Sequence, residues 1–202
     1  MKFAIIAGSH RQDSQSTRIA TYIEKQITQD DAHKTYMLDL KTNPLPMWDE
    51  SVWESNPNWK KVWDPISQEL ITCDAVILVV PEWAGMVPPG VKNLLLLCGG
   101  GPQLADKPGL IVGISSGMGG TYPIAELRVN SGKNTRFVYI PDHMIIRHCE
   151  GIFASSAPAS DEDKYIRDRL AYSLKVLERY GEAFKLIRNS GTIDTKTYPF
   201  GM

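Results

Sequence analysis

The sequence predicts an α/β protein, a doubly wound sheet of parallel strands with helices on both faces. Three observations predict it. Five short apolar runs, at residues 3–7, 36–40, 75–80, 110–114 and 137–140, are separated by longer stretches. The third run, Ala75-Val76-Ile77-Leu78-Val79-Val80, is apolar throughout, as a strand covered on both faces must be. The intervals carry helical spacing near 14–29, 58–72, 88–97 and 120–131, and regular strand–helix alternation builds a parallel sheet.

Each element follows from its local chemistry. Strand 3–7 hands over to a polar stretch and then to Arg18-Ile19-Ala20-Thr21-Tyr22-Ile23, which has helical periodicity. Residues 40–57, with Pro44, Pro46 and Pro57 around Trp48 and Trp53, read as a long loop, either functional or packed against a partner subunit, or a tolerated surface insertion. Pro81 ends the third strand, and Pro88-Pro89 suits the start of the next helix. After the fifth strand, residues 142–160 read as a connection. A last helix then begins at Asp161-Glu162-Asp163, whose acids suit the positive end of its dipole. Its stripe Ile166, Leu170, Leu174, Leu177 and Phe184 is expected to dock on the sheet. Residues 1–189 are therefore expected to form one domain, and 190–202 a tail that is loose or used in subunit contacts.

Composition narrows the function classes. With 202 residues and 43% hydrophobic composition the chain can bury a full core. A net charge of −1 offers no basic footprint for nucleic acid and no field for an anionic membrane. Cys73, Cys98 and Cys149 are odd in number and lack metal or redox spacing, and the four histidines form no metal motif. No secretory signal or spanning segment is legible, so a cytoplasmic protein without metal is expected.

In an open parallel sheet, ligands bind outside the carboxyl ends of the strands where strand order reverses. For the order 2-1-3-4-5 that point is served by the loops after strands one, three and four. The first, Gly8-Ser9-His10-Arg11-Gln12-Asp13-Ser14-Gln15-Ser16-Thr17, gathers hydroxyls and an arginine at a helix start. Two readings stand: a plain serine cap, or a seat for a phosphate monoester. Neither a P-loop nor a Gly-x-Gly-x-x-Gly pattern is present there. The second loop, Pro81-Glu82-Trp83-Ala84-Gly85, is rigid and presents backbone groups and an aromatic ring. The third, Ser115-Ser116-Gly117-Met118-Gly119-Gly120, has three glycines in four positions and lets a flat group approach the backbone.

Taken together, Gly8-Ser9-x-Arg11-x-x-Ser14, Asp39-Leu40-x5-Pro46, Pro81-Glu82-Trp83 through Pro88-x3-Lys92-Asn93, and Ser115-x-Gly117-x-Gly119-Gly120 resemble the NAD(P)H-dependent FMN reductase family over about residues 1–185. That flavodoxin-like group includes quinone, chromate and azo-dye reductases. The resemblance implies FMN as cofactor and NADPH or NADH as donor. It assigns the phosphate to Ser9, Arg11, Ser14, Ser16 and Thr17. The flavin ring and ribityl chain fall to Pro81, Glu82, Trp83, Ala84 and Gly85, with Ser115, Gly117, Gly119 and Gly120 closing the other side. Where the family has Tyr-Asn after Pro-Glu, this chain has Trp83-Ala84, which removes an amide.

The implied activity is hydride transfer from the nicotinamide to FMN and on to a small acceptor such as a quinone or a flavin. No catalytic side chain is required; backbone N–H groups of the second and third loops are expected to stabilise the charge on the reduced ring. The alternatives are an FMN-binding electron-transfer module without nicotinamide turnover, or a fold that has lost FMN. A homodimer or homotetramer is the expected assembly.

Overall fold

The computed structural model describes residues 1–54 and 56–201; Ser55, in the long 40–57 connection, and Met202, in the expected tail, lie outside the described residues. Among the described residues five parallel strands form one sheet: β1 (Lys2–Ala7), β2 (Lys34–Asp39), β3 (Ala75–Pro81), β4 (Pro108–Ile114) and β5 (Val138–Ile146), in the order β2-β1-β3-β4-β5. The doubly wound, flavodoxin-like fold that the alternating pattern predicts is the fold observed. Helices α1 (Gln15–Ile27), α2 (Pro57–Thr72), α3 (Pro89–Leu97), α4 (Tyr122–Asn130), α5 (Gly132–Thr135) and α6 (Asp161–Asn189) complete it.

Alternation along the central strands divides the core in two. Ala4, Ile6, Val76, Leu78 and Val80 face α2, α3 and α4, where they meet Trp63, Leu70, Val91, Leu94 and Leu127. Ile5, Ala7, Ile77 and Val79 face the other way, toward Ile19 and Ile23 of α1 and Leu170 and Leu177 of α6. A strand with both faces covered has no polar side, which is why β3 reads as one unbroken apolar run. Burying a Leu or Ile side chain contributes about 1.5–3 kcal/mol, so these two layers outweigh any surface ion pair.

The fifth strand differs from expectation. The fifth strand continues six residues past 140, because Pro141 and Asp142 interrupt the apolar run without ending the pairing. Gly109 pairs with Tyr139 and Ile111 with His143, so β5 carries extra residues opposite β4. A bulge on an edge strand is where a proline, lacking an N–H, is tolerated. The 40–57 connection holds a short 3-10 turn, Glu50–Trp53, and is pinned to α3: Asn93 accepts from the Trp48 N–H (2.7 Å) and donates to the Pro46 carbonyl (2.7 Å). The chain end folds back on the rest of the protein. Gly201 N–H donates to the Lys133 carbonyl (2.7 Å), and a Cβ on Gly100 would stand 2.9 Å from the Phe200 ring.

Candidate functional site

A cleft of about 220 Å³ lies at the carboxyl ends of β1, β3 and β4, where strand order reverses. Three loops line it as the sequence predicts: Ser9, Arg11 and Ser16 from the first, Pro81, Glu82 and Trp83 from the second, Ser115 and Gly117 from the third. A larger recess of about 400 Å³ lies between α3 and the α4–α5 segment, lined by Leu95, Leu96, Asn130 and Lys133. It is on the flank of the sheet, away from the reversal point, so the smaller cleft is the candidate site.

The first loop is drawn in tightly. Gly8 N–H donates to the Val79 carbonyl (2.9 Å), and a Cβ there would meet Val91 at 2.7 Å, so its one glycine is required by close approach to β3 and α3. Ser14 caps α1 by accepting from the Thr17 N–H (3.0 Å), and the Thr17 hydroxyl donates to Asp39 (3.0 Å). Thr17 spends its proton within the fold, Ser14 accepts there but keeps its own O–H to donate, and neither residue lines the cleft. Ser9 accepts from the Arg11 N–H (3.2 Å). Ser16 differs from all of them: it is 1% exposed, lines the cleft, and its Oγ has no hydrogen-bond partner. A buried hydroxyl without a partner costs about 1–3 kcal/mol, a cost that a ligand oxygen at this point removes. The residue sits in the first turn of α1, where backbone N–H groups also lack helical acceptors and the dipole favours an anion. The donor set fits a phosphate group.

At the other end the loops complete one another. Trp83 and Met86 exchange two backbone hydrogen bonds, 3.1 and 2.9 Å, around Ala84 (φ 49°) and Gly85 (φ 75°). Positive φ at both central positions is a type I′ turn, a conformation that suits Gly85 and strains Ala84. The Trp83 ring packs edge-on to His10 at 4.7 Å. Glu82 accepts from the N–H groups of Gly120 (2.6 Å) and Tyr122 (3.3 Å). Its carboxylate therefore fastens the second loop to the third, and two amides of the third loop are engaged within the protein. Ala84, Gly85, Gly119 and Gly120 do not line the cleft, but they shape the loops that do.

Sequence reasoning passed over Asp13, Gln15, Ile114, Ser116 and Cys149, which also line the cleft. Cys149 arrives there because β5 runs on to Ile146, and a fifth strand ending at 140 hides it. Arg18 holds the segment in place, donating to the carbonyls of Ile152 (2.7 Å) and Cys149 and to Gln15 (2.7 Å). Burial pushes the Cys149 thiol above its ordinary range, which favours its neutral form at the cleft wall. Among the described residues no group of three or more His, Cys, Asp or Glu is arranged to hold a metal, and no helix is long and apolar enough to cross a membrane.

Residues 1–151 match the model of a family described as NADPH-dependent FMN reductase. The fold is similar to that of FerB, a flavoenzyme NAD(P)H:(acceptor) oxidoreductase from Paracoccus denitrificans, at 20% identity over 91% of this chain and 98% of that one, with a TM-score of 0.71. It is also similar to the NADH:FMN oxidoreductase EMOB (11% identity, 90% and 89% covered, TM-score 0.66) and to an azoreductase from Bacillus anthracis (11%, 91% and 98%, 0.58). At these identities the solved structures speak for the fold alone. No curated protein matches the sequence.

Proposed function

The chain belongs to the NADPH-dependent FMN reductase family, and from that premise we propose that the cleft between the three loops is its flavin site. The protein is an oxidoreductase that uses FMN, with NAD(P)H as electron donor. Ser9, Arg11 and Ser16 hold the FMN phosphate at the start of α1, with Ser14 and Thr17 shaping the turn. The loop 81–85 and the loop 115–120 hold the ring end. The observation that supports this most strongly is the buried, unpartnered Ser16 hydroxyl in the cleft.

Held by Ser9, Arg11 and Ser16 and by the 81–85 and 115–120 loops, FMN would supply hydride-transfer chemistry between a nicotinamide and a small acceptor, for which a quinone or a free flavin is our reading. The protein's part is to bind, orient and exclude water. Arg11 offers a fixed positive charge to the phosphate, Trp83 and Pro81 offer apolar surface to a ring, and no side chain need move a proton. The test is anaerobic: protein loaded with FMN is titrated with NADPH and then NADH while the visible flavin band is followed. Bleaching with either supports the reading; no bleaching with both sinks it.

Residues 1–189 act in this reading as one domain with a C-terminal tail. Met47, Trp53, Met86 and Met118 in the connections at the carboxyl end of the sheet, and Tyr122 at the start of α4, are large, apolar and exposed. A homodimer that covers this end accounts for them, and light scattering of the purified protein checks it. Three free cysteines support residence in the reducing cytoplasm.

A further inference from the structure

One side chain joins the two loops at the ring end of the cleft. Glu82 Oε2 accepts from both Gly120 N–H (2.6 Å) and Tyr122 N–H (3.3 Å), while the Glu82 N–H donates to the Ile114 carbonyl (2.9 Å). The neighbouring glycines are cut to fit this arrangement. A Cβ on Gly119 would stand 2.7 Å from Glu82 Oε1, and Gly120 holds φ +100°, which side chains rarely adopt. A Cβ on Gly113 would collide with the Gly120 carbonyl at 2.2 Å, so the strand beneath is also shaped to receive the loop. Glu82 is itself among the residues that line the cleft, whereas Gly119, Gly120 and Tyr122, which its carboxylate meets, are not.

We propose that Glu82 is a positioning residue for the flavin site: its carboxylate acts through Gly120 and Tyr122 to set the 115–122 loop, and places one negative charge beside the ring. This rests on the reading that the ring lies between the two loops. It separates two roles that a single residue usually confounds. The shape of the carboxylate fixes the loop, and hence affinity for the ring. Its charge opposes the gain of electrons by the ring, and holds the potential of bound flavin below the value a neutral side chain gives.

Glu82→Gln and Glu82→Ala take the roles apart. Glutamine keeps a carbonyl oxygen that can accept both amides and removes only the charge; alanine removes both. Gly119→Ala is an independent route to loss of the brace, because its Cβ displaces the carboxylate without deleting it. In flavin-free protein, hydrogen exchange at Gly120 and Tyr122 is expected to be slow in the wild type and Glu82→Gln, and about tenfold or more faster in Glu82→Ala and Gly119→Ala. Affinity for FMN and for riboflavin should fall together, by about tenfold, in the latter two and stay near wild type in Glu82→Gln. The midpoint potential of bound FMN should rise in Glu82→Gln.

Unchanged amide exchange in a folded Glu82→Ala overturns the brace. An unchanged potential in Glu82→Gln overturns the charge. Protected amides in a wild type that binds no flavin would instead overturn the flavin-site reading and the charge with it, while upholding the brace.

Discussion

At the α1 end of the cleft the Ser16 hydroxyl is buried with no partner, whereas at the opposite end Glu82 Oε2 has two donors and Trp83 and Met86 exchange both of their backbone bonds. The first end is left incomplete by the fold, and in the proposed reading a phosphate completes it. The second is complete before anything binds, and offers a shaped wall. The difference has a thermodynamic consequence. An unsatisfied buried donor makes the free protein less stable and the complex more so, whereas a pre-satisfied wall contributes to binding mainly by having nothing left to order. Substitutions at the two ends should therefore differ in what they do to the free protein, and in whether they distinguish FMN from riboflavin, which lacks the phosphate.

The largest effect should come from the wall. Gly113 lies within β4, paired to β3 on one side and β5 on the other, so its backbone has no freedom to retreat. A Cβ there meets the Gly120 carbonyl oxygen at 2.2 Å and Ile124 at 3.2 Å. Gly113→Ala is expected to lower stability by about 3 kcal/mol, the upper range for overpacking a core, and to weaken FMN and riboflavin alike. Urea unfolding of the flavin-free protein measures the first. Near-wild-type stability would mean that the third loop is free to shift, and that the contrast between the ends is overstated.

A smaller and more selective effect belongs to the open end. Ser16→Ala removes the orphaned hydroxyl, so the flavin-free protein should be unchanged or more stable by up to about 1 kcal/mol. FMN should bind about tenfold more weakly, equivalent to about 1.4 kcal/mol, while riboflavin affinity stays the same. Fluorescence titration with the two flavins reads both. Equal losses for the two would show that Ser16 contacts something other than the phosphate.

The same contrast explains what could be read from the residues. Ser9, Arg11 and Ser16 were legible because hydroxyl and guanidinium groups announce their chemistry at a helix start. Which hydroxyl would be free was not legible: Ser14 and Ser16 are both good caps, and only the three-dimensional start of α1 gives the cap to Ser14. The order of the sheet could be read because buried parallel strands leave unbroken apolar runs. The end of β5 could not, since Pro141 and Asp142 look like a terminator and are a bulge, and with that strand cut short Cys149 was lost from the site. Glu82 is recognisable in the sequence as a residue of the site, but its bond to two backbone amides leaves no trace there. Backbone partners forty residues away have no residue type to betray them.

The smallest effect tests the one place where the wall is strained. Ala84 sits at φ 49° in the Trp83–Met86 turn, a left-handed conformation that costs an L-residue about 1–2 kcal/mol. Asparagine tolerates this conformation far better, and Asn-Gly is a favoured pair for a type I′ turn; here the second residue is already Gly85. Ala84→Asn should therefore raise the stability of the flavin-free protein by about 0.5–1 kcal/mol, read as a shift in the urea midpoint with unchanged slope. It also puts an amide back where the family has one. If that amide reaches the ring end, riboflavin and FMN should tighten by the same factor, the converse of the FMN-only loss in Ser16→Ala. Tightening of FMN alone would place the amide at the phosphate and remove the distinction between the two ends. A fall in stability would show that this turn is not held open by its own backbone bonds but by the packing of Trp83 on His10.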